Sequence, residues 1–316
     1  MKCALVNVLS FSNSNVNFIT LVKAYGYYKV RLVMSKLGGY VRLMRPVNCL
    51  MMGFAVIVGA ALASPRALSV SWMNLVYGFL TGFMLTAASM AINDYYDREI
   101  DKINEPSRPI PSGLIKPREA LAYAFVLAII GFVAAYLTNI FSLVIAIIAW
   151  IVSVTYTTVG KKSGLPGNFL VSTCVAVPFI YGSVAIANKV ELDALIFASM
   201  AFLSITGREI TKGIADIEGD KAMNVQTLAV RYGEKTAAVV AVVFYVSAVV
   251  LSPIPLLLNI VSFWFVPFVA VTDFGIVISS FMLLRNYSRE NAKKVKNMIL
   301  LWLLFGLIAF VFGASW

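Results

Sequence analysis

The stretch WMNLVYGFLTGFMLTAASMAINDYYDREID, residues 72–101, begins as an apolar run and ends, without a break, in Asp94, Asp97, Glu99 and Asp101. Its apolar part is long enough to cross a bilayer, which takes about 20 residues in a helix. A second apolar run, 193–214, ends the same way in Asp216-Ile217-Glu218-Gly219-Asp220. Together with Glu105 and Glu209, these stretches hold nine of the 15 acidic residues in the chain. A charged helix end is ordinarily a solvated cap. Two such clusters, each with Arg and Lys beside it, point instead to a divalent cation and to chemistry at a membrane edge.

Working outward, hydrophobic residues make up 60% of the 316 and the mean hydropathy is +0.85. Spanning chains satisfy their backbone groups internally, and the alternating pattern of a barrel is missing, so the chain reads as an all-α polytopic membrane protein. Nine spans are expected, at 46–64, 72–93, 119–137, 140–159, 168–187, 193–214, 236–255, 261–284 and 297–315. With the amino terminus in the cytoplasm, only Arg66 and Lys189 fall in outer loops, which satisfies the positive-inside pattern. The net charge of +11 therefore sets topology and does not call for nucleic acid. Cys3, Cys49 and Cys174 lack metal-ligand or disulfide-framework spacing. With no histidine in the chain, any metal must be held by oxygen, which favours Mg²⁺ over Zn²⁺. Residues 1–33 contain no convincing span or signal peptide, and Met34 is a natural start. They are expected to be a dispensable or misannotated extension before a single domain at 34–316.

The clusters follow spans two and six, so they open on one face and occupy equivalent places in two four-helix units, as in a weak internal duplication. At about 100° per residue, Asn93, Asp94, Asp97 and Asp101 share one arc of a helix, and Arg208, Glu209, Lys212, Asp216 and Asp220 share another. Glu99 and Glu218 point elsewhere. Carboxylates stacked this closely repel unless cations neutralise them. Lys102, Arg108, Lys161, Lys162, Arg208 and Lys212 lie on the same side and suit phosphate oxygens. Carboxylates, cations and an apolar interior together fit a diphosphate with a lipid tail.

The pair of motifs resembles the UbiA intramembrane prenyltransferases. Asn93 to Asp101 matches their NDxxDxxxD motif and Asp216 to Asp220 their DxxxD motif, and the Ser107–Gly113 loop is of the same type. The region from Arg208 to Asp220, followed by Thr227-Leu228, is similar to the archaeal ether-lipid branch. It departs at Ala215, where that branch commonly has an acidic residue. The resemblance implies nine transmembrane helices around a cavity with a cytoplasmic mouth. It also implies transfer of a geranylgeranyl group from geranylgeranyl diphosphate to the sn-2 hydroxyl of geranylgeranylglyceryl phosphate. Asn93, Asp97, Asp101, Asp216 and Asp220 would hold Mg²⁺, with Asp94 in support, and Arg108, Lys161 and Lys212 would share the diphosphate charge. The main alternative is an aromatic or tetrapyrrole acceptor. A cation transporter fits less well, because transporter sites commonly lie near the bilayer midplane.

Arg42, Arg45 and Asn48 either bind the acceptor phosphate or anchor the first span at the headgroups. Tyr156 and Asn168, flanking Lys161-Lys162, either line the phosphate site or are ordinary interface residues. Asp273, within span eight, calls for a partner or a function. No obligate protein partner is implied.

The charge pattern makes a topological prediction. In a background lacking native cysteines, a single cysteine at Lys161 stays unlabelled by an impermeant reagent on intact cells, whereas one at Lys189 labels readily.

Overall fold

The computed structural model describes residues 35–64 and 71–313, so the expectations for residues 1–33 and for Arg66 lie outside it. A helical segment over 35–44 leads into α1 (Pro46–Ala63), α2 (Trp72–Asn104), α3 (Pro117–Thr138), α4 (Ile140–Thr158), α5 (Leu165–Ala187) and α6 (Leu192–Ala215). There follow the short α7 (Ile217–Ala222), α8 (Leu228–Leu251), the short α9 (Ile254–Leu257), α10 (Phe265–Arg285) and α11 (Arg289–Gly313). Among the described residues, eight helices are long and apolar enough to cross a membrane. The ninth expected span begins within α11, which is not one of them. That helix opens with Arg289, Glu290, Lys293, Lys294 and Lys296, so it starts in a polar zone, and the end of the expected span lies beyond the described residues.

Large apolar side chains such as Phe125 and Val133 on α3, Ile148 and Ile151 on α4, and Phe274 and Phe281 on α10 point outward. On a soluble protein such a surface would drive association, and in lipid it costs nothing. Association between the helices must then come from close packing. Ala87, Ala88 and Ala91 on α2 and Ala120, Ala124 and Ala128 on α3 are buried where the two helices meet. Gly59 on α1 lies directly over the Phe179 carbonyl of α5, and Gly182 on α5 lies over the Val56 carbonyl of α1. Small residues at both positions let the two backbones touch.

The two four-helix units repeat the same neighbours. α1 packs on α2, α2 on α3 and α3 on α4; likewise α5 packs on α6, α6 on α8 and α8 on α10. The α1–α5 contact joins the units, and α11 packs on α6 and α10. The tight turn after α3 is a single residue, Asn139. Its side chain accepts from Ser142 N at 2.7 Å and donates to Val184 O at 3.2 Å, tying the turn to α5. α8 starts earlier than expected, at Leu228, because Thr227 caps it, and it kinks at Gly233 with φ 84°.

Gly182→Val should remove most of the folded, monodisperse protein extractable from membranes, because the β-branched side chain overlaps α1 backbone. Gly38→Ala has nothing within 4 Å of the new methyl and should extract like wild type.

Candidate active site

α2 has 33 residues, about 50 Å at 1.5 Å per residue, against a hydrocarbon core of about 30 Å. Its last turns therefore stand clear of the lipid and carry the first acidic motif. Asp94, Asp97 and Asp101 are nonetheless 2%, 6% and 4% exposed, and each has a cation. Arg45 reaches Asp94 at 2.5 Å, Lys161 reaches Asp97 at 2.5 Å, and Arg108 reaches Asp101 at 2.6 Å and Asp94 at 3.5 Å. Asn93 Nδ2 donates to Asp97 at 2.9 Å. Buried carboxylates need such partners to remain charged.

Each cation comes from a different segment and is fixed by local structure. Pro46 disfavours the α-helical region for Arg45, which takes a left-handed conformation (φ 54°) and breaks the lead-in helix from α1. Arg108 sits on a loop pinned by Ile110 and Ile115, both buried with Leu43 and Ala91. Lys161 lies in a 3-10 turn, Gly160–Ser163, ending at Gly164 with φ 72°. A side chain at Gly164 would be strained and would also strike the Gln226 carbonyl, so glycine is required there. That contact ties the Lys161 turn to the segment after α7, beside the second acidic motif.

The second motif is not one continuous helix, contrary to expectation. α6 ends at Ala215, Asp216 (φ −107°, ψ 11°) forms the junction, and α7 follows. Asp216 N still donates to Lys212 O and Asp220 N to Asp216 O, both at 3.0 Å, so Asp216 and Asp220 keep helical spacing across the break. Beneath them Glu209, buried, accepts from Arg208 at 2.8 Å and faces Lys212 at 3.6 Å. Burial and then the neighbouring Asp216 push the Asp220 carboxyl up to about 6, with Lys212 and Lys161 pulling the other way.

All of these groups surround one cavity of about 630 Å³. Asn93, Asp97, Asp101, Asp216 and Asp220 line its mouth, as do Arg45, Asn48, Arg108, Tyr156, Lys161, Asn168, Arg208 and Lys212. Its depth is apolar, with Met52, Leu85, Trp150, Val175, Phe197 and Phe310 among the walls. Asp94 does not reach the cavity; it holds Arg45 and Arg108 from behind. Arg42 is exposed and off the cavity, so only Arg45 and Asn48 of that stretch face it. Glu99 and Glu218 do point elsewhere, pairing with Lys102 at 2.7 Å and Arg289 at 2.6 Å. Among the described residues no three acidic side chains form a ready cage for a metal. Asp273 also lines the cavity, and its partner is Ser252, which donates at 2.5 Å from the end of α8.

The sequence reading missed Lys293, Lys296 and Asn297, which bring α11 to the mouth. They read as ordinary positive-inside charges, and only their spacing of three and four residues hinted at a shared face.

The fold and the composition of this mouth agree with the comparisons. Residues 52–313 match the model of the UbiA prenyltransferase family, and the chain belongs to that family. Within it, the chain is 37% identical over 294 residues to the digeranylgeranylglyceryl phosphate synthase of Archaeoglobus fulgidus, covering 90% of this chain and 99% of that one. A solved structure described as giving insights into "the biosynthesis of Digeranylgeranylglyceryl phosphate synthase in membranes" superposes with TM-score 0.70 at 34% identity. It covers 88% of this chain and 98% of its own. A UbiA homolog from Archaeoglobus fulgidus bound to GPP and Mg²⁺ shares the fold, with TM-score 0.58 at 19% identity over 86% of this chain and 99% of that one.

Asp220 offers a test of the site's electrostatics. A carboxyl whose folded pKa is raised destabilises the fold above that pKa, and the penalty fades as pH falls toward the ordinary carboxylate value of about 4. In metal-free, detergent-solubilised protein, Asp220→Asn should melt a few degrees above wild type at about pH 7.5, with the gap closing by about pH 4.

Proposed function

We propose that this prenyltransferase moves a geranylgeranyl group from geranylgeranyl diphosphate to the sn-2 hydroxyl of geranylgeranylglyceryl phosphate, forming an ether bond of archaeal membrane lipid. The observation that carries this reading is a single cavity with a charged mouth and an apolar depth. Two substrates that each join a phosphate head to a prenyl tail match it. The full-length similarity to enzymes named for this product supports the choice of acceptor over an aromatic one.

Arg108 and Lys161 are placed to take up charge on the departing diphosphate, and Arg45 and Asn48 complete that wall of the mouth. Lys212 and Arg208 face it from α6, and Tyr156 stands beside them. The donor C–O bond breaks with its electron pair leaving on the diphosphate, and the acceptor hydroxyl oxygen forms the new C–O bond to the allylic cation while its proton passes to the released diphosphate or a mouth carboxylate. Apolar walls deny water that position, so transfer outruns hydrolysis. Pre-set cations at the mouth need no reorganisation as charge develops.

The donor set at the mouth, carboxylate and amide oxygens without imidazole, fits a hard divalent cation. Asn93, Asp97, Asp101, Asp216 and Asp220 would hold Mg²⁺, which when bound supplies positive charge against the diphosphate oxygens. The mouth opens to the cytoplasm of a multi-pass cell-membrane protein in this reading, supported by the distribution of Lys and Arg. The catalytic domain is 34–316.

The test is a turnover assay with geranylgeranyl diphosphate, Mg²⁺ and a panel of acceptors, with products identified by mass. The glyceryl phosphate acceptor should be the one prenylated, and EDTA should abolish product. Asp97→Asn, Asp101→Asn, Asp216→Asn and Asp220→Asn should each lower turnover about 10²-fold or more. Prenylation of an aromatic acceptor alone would overturn the assignment, and near-normal turnover in folded Asp97 and Asp216 variants would remove the two-motif mechanism.

A further inference from the structure

The cations at the mouth fall into two groups. Arg45, Arg108 and Lys161 are each taken by a carboxylate of α2. On the opposite wall, Glu209 is shared by Arg208 and Lys212, while Lys293 and Lys296 of α11 make no ion pair among the described residues. Lys296 is nevertheless within electrostatic reach of Asp216, Lys212, Arg208 and Glu209. Arg208 Nε is buried without any hydrogen-bond partner, a donor that normally finds one. Asp220 is within electrostatic reach of Asp216, Lys212 and Lys161. Arg208, Lys212, Lys293 and Lys296 thus outnumber Glu209, Asp216 and Asp220 on this side of the cavity and leave it net positive, the sign that a phosphate monoester requires.

The same helix supplies a matching tail groove. Lys293, Lys296, Asn297, Leu300, Leu303 and Leu307 all line the cavity and follow a spacing of three and four residues, one stripe along α11. The stripe is cationic at the mouth and apolar below it, the polarity of a single lipid lying head-out along the helix.

We infer that Lys293, Lys296 and the free Nε of Arg208 form a phosphate-monoester subsite on the α6–α11 wall, which seats the head of the acceptor lipid with its prenyl chain along α11. The donor diphosphate is left to the two carboxylate motifs and the cations paired with α2. This rests on the acceptor reading above, and Arg45, already committed to Asp94, serves the donor side.

Two measurements separate this subsite from the acceptor reading. In steady-state kinetics, Lys296→Gln and Lys293→Gln should raise the KM for geranylgeranylglyceryl phosphate about tenfold or more, with the KM for geranylgeranyl diphosphate within about twofold. Arg45→Ala should not show that selectivity, and Lys294→Gln, exposed and off the cavity, should change neither constant. Equal effects on both substrates, or acceptor selectivity in Arg45→Ala instead, would overturn the assignment. Equilibrium binding in neutral detergent, read by tryptophan fluorescence because Trp150 lines the cavity, compares the phosphorylated acceptor with its dephosphorylated alcohol. Wild type should prefer the phosphate form about tenfold or more, and both lysine variants should lose the preference. Loss of that preference to competing anionic phospholipid would make it a headgroup site and sink the inference. A Lys296-dependent preference in a protein that turns over only another acceptor would refute the acceptor reading and keep the subsite.

Discussion

Three carboxylates on one helix end, each buried and each matched to a cation from elsewhere in the chain, organise the mouth of this protein. Asp94, Asp97 and Asp101 draw in Arg45 from the start of α1, Arg108 from the loop after α2 and Lys161 from the turn after α4. An unpaired buried charge is strongly destabilising, so these segments are held where the charges balance.

The bundle beneath solves a different problem. Lipid offers helices no hydrophobic reason to associate, so contact depends on small residues and a few internal hydrogen bonds. Gly59 against Gly182 joins the two repeated units, and Gly207 lets the Tyr245 ring lie against α6, where its hydroxyl meets Thr211 at 2.9 Å. Tight packing at the perimeter leaves the centre open. The resulting chamber is apolar in depth and charged at one end. The Asp273 carboxyl is the exception in that depth, and its bond to Ser252 keeps it from being an isolated polar group.

The second acidic motif is less comfortable than the first. Asp216 and Asp220 lie one turn apart at a helix junction, and neither has a cation within ion-pair distance among the described residues. The raised Asp220 carboxyl reflects burial and the Asp216 charge together. Such an arrangement lowers stability, and residues that do so are commonly kept for function.

Much of this was legible in the residue order alone. Apolar runs of bilayer length, the face shared by the two motifs and the oxygen-only donor set follow from periodicity and composition, which act locally. So does the arc of Asn93, Asp97 and Asp101, because one unbroken helix carries it. Tertiary structure alone decided that Asp94 faces away from the cavity to hold two arginines, that Arg45 enters it while Arg42 does not, and that Asp273 meets Ser252. The junction at Asp216 and the arrival of Lys293 and Lys296 at the mouth also belong there. Each depends on which distant segment lies alongside, and a charge in the first two turns of a helix reads the same from sequence whether it faces headgroups or a cavity.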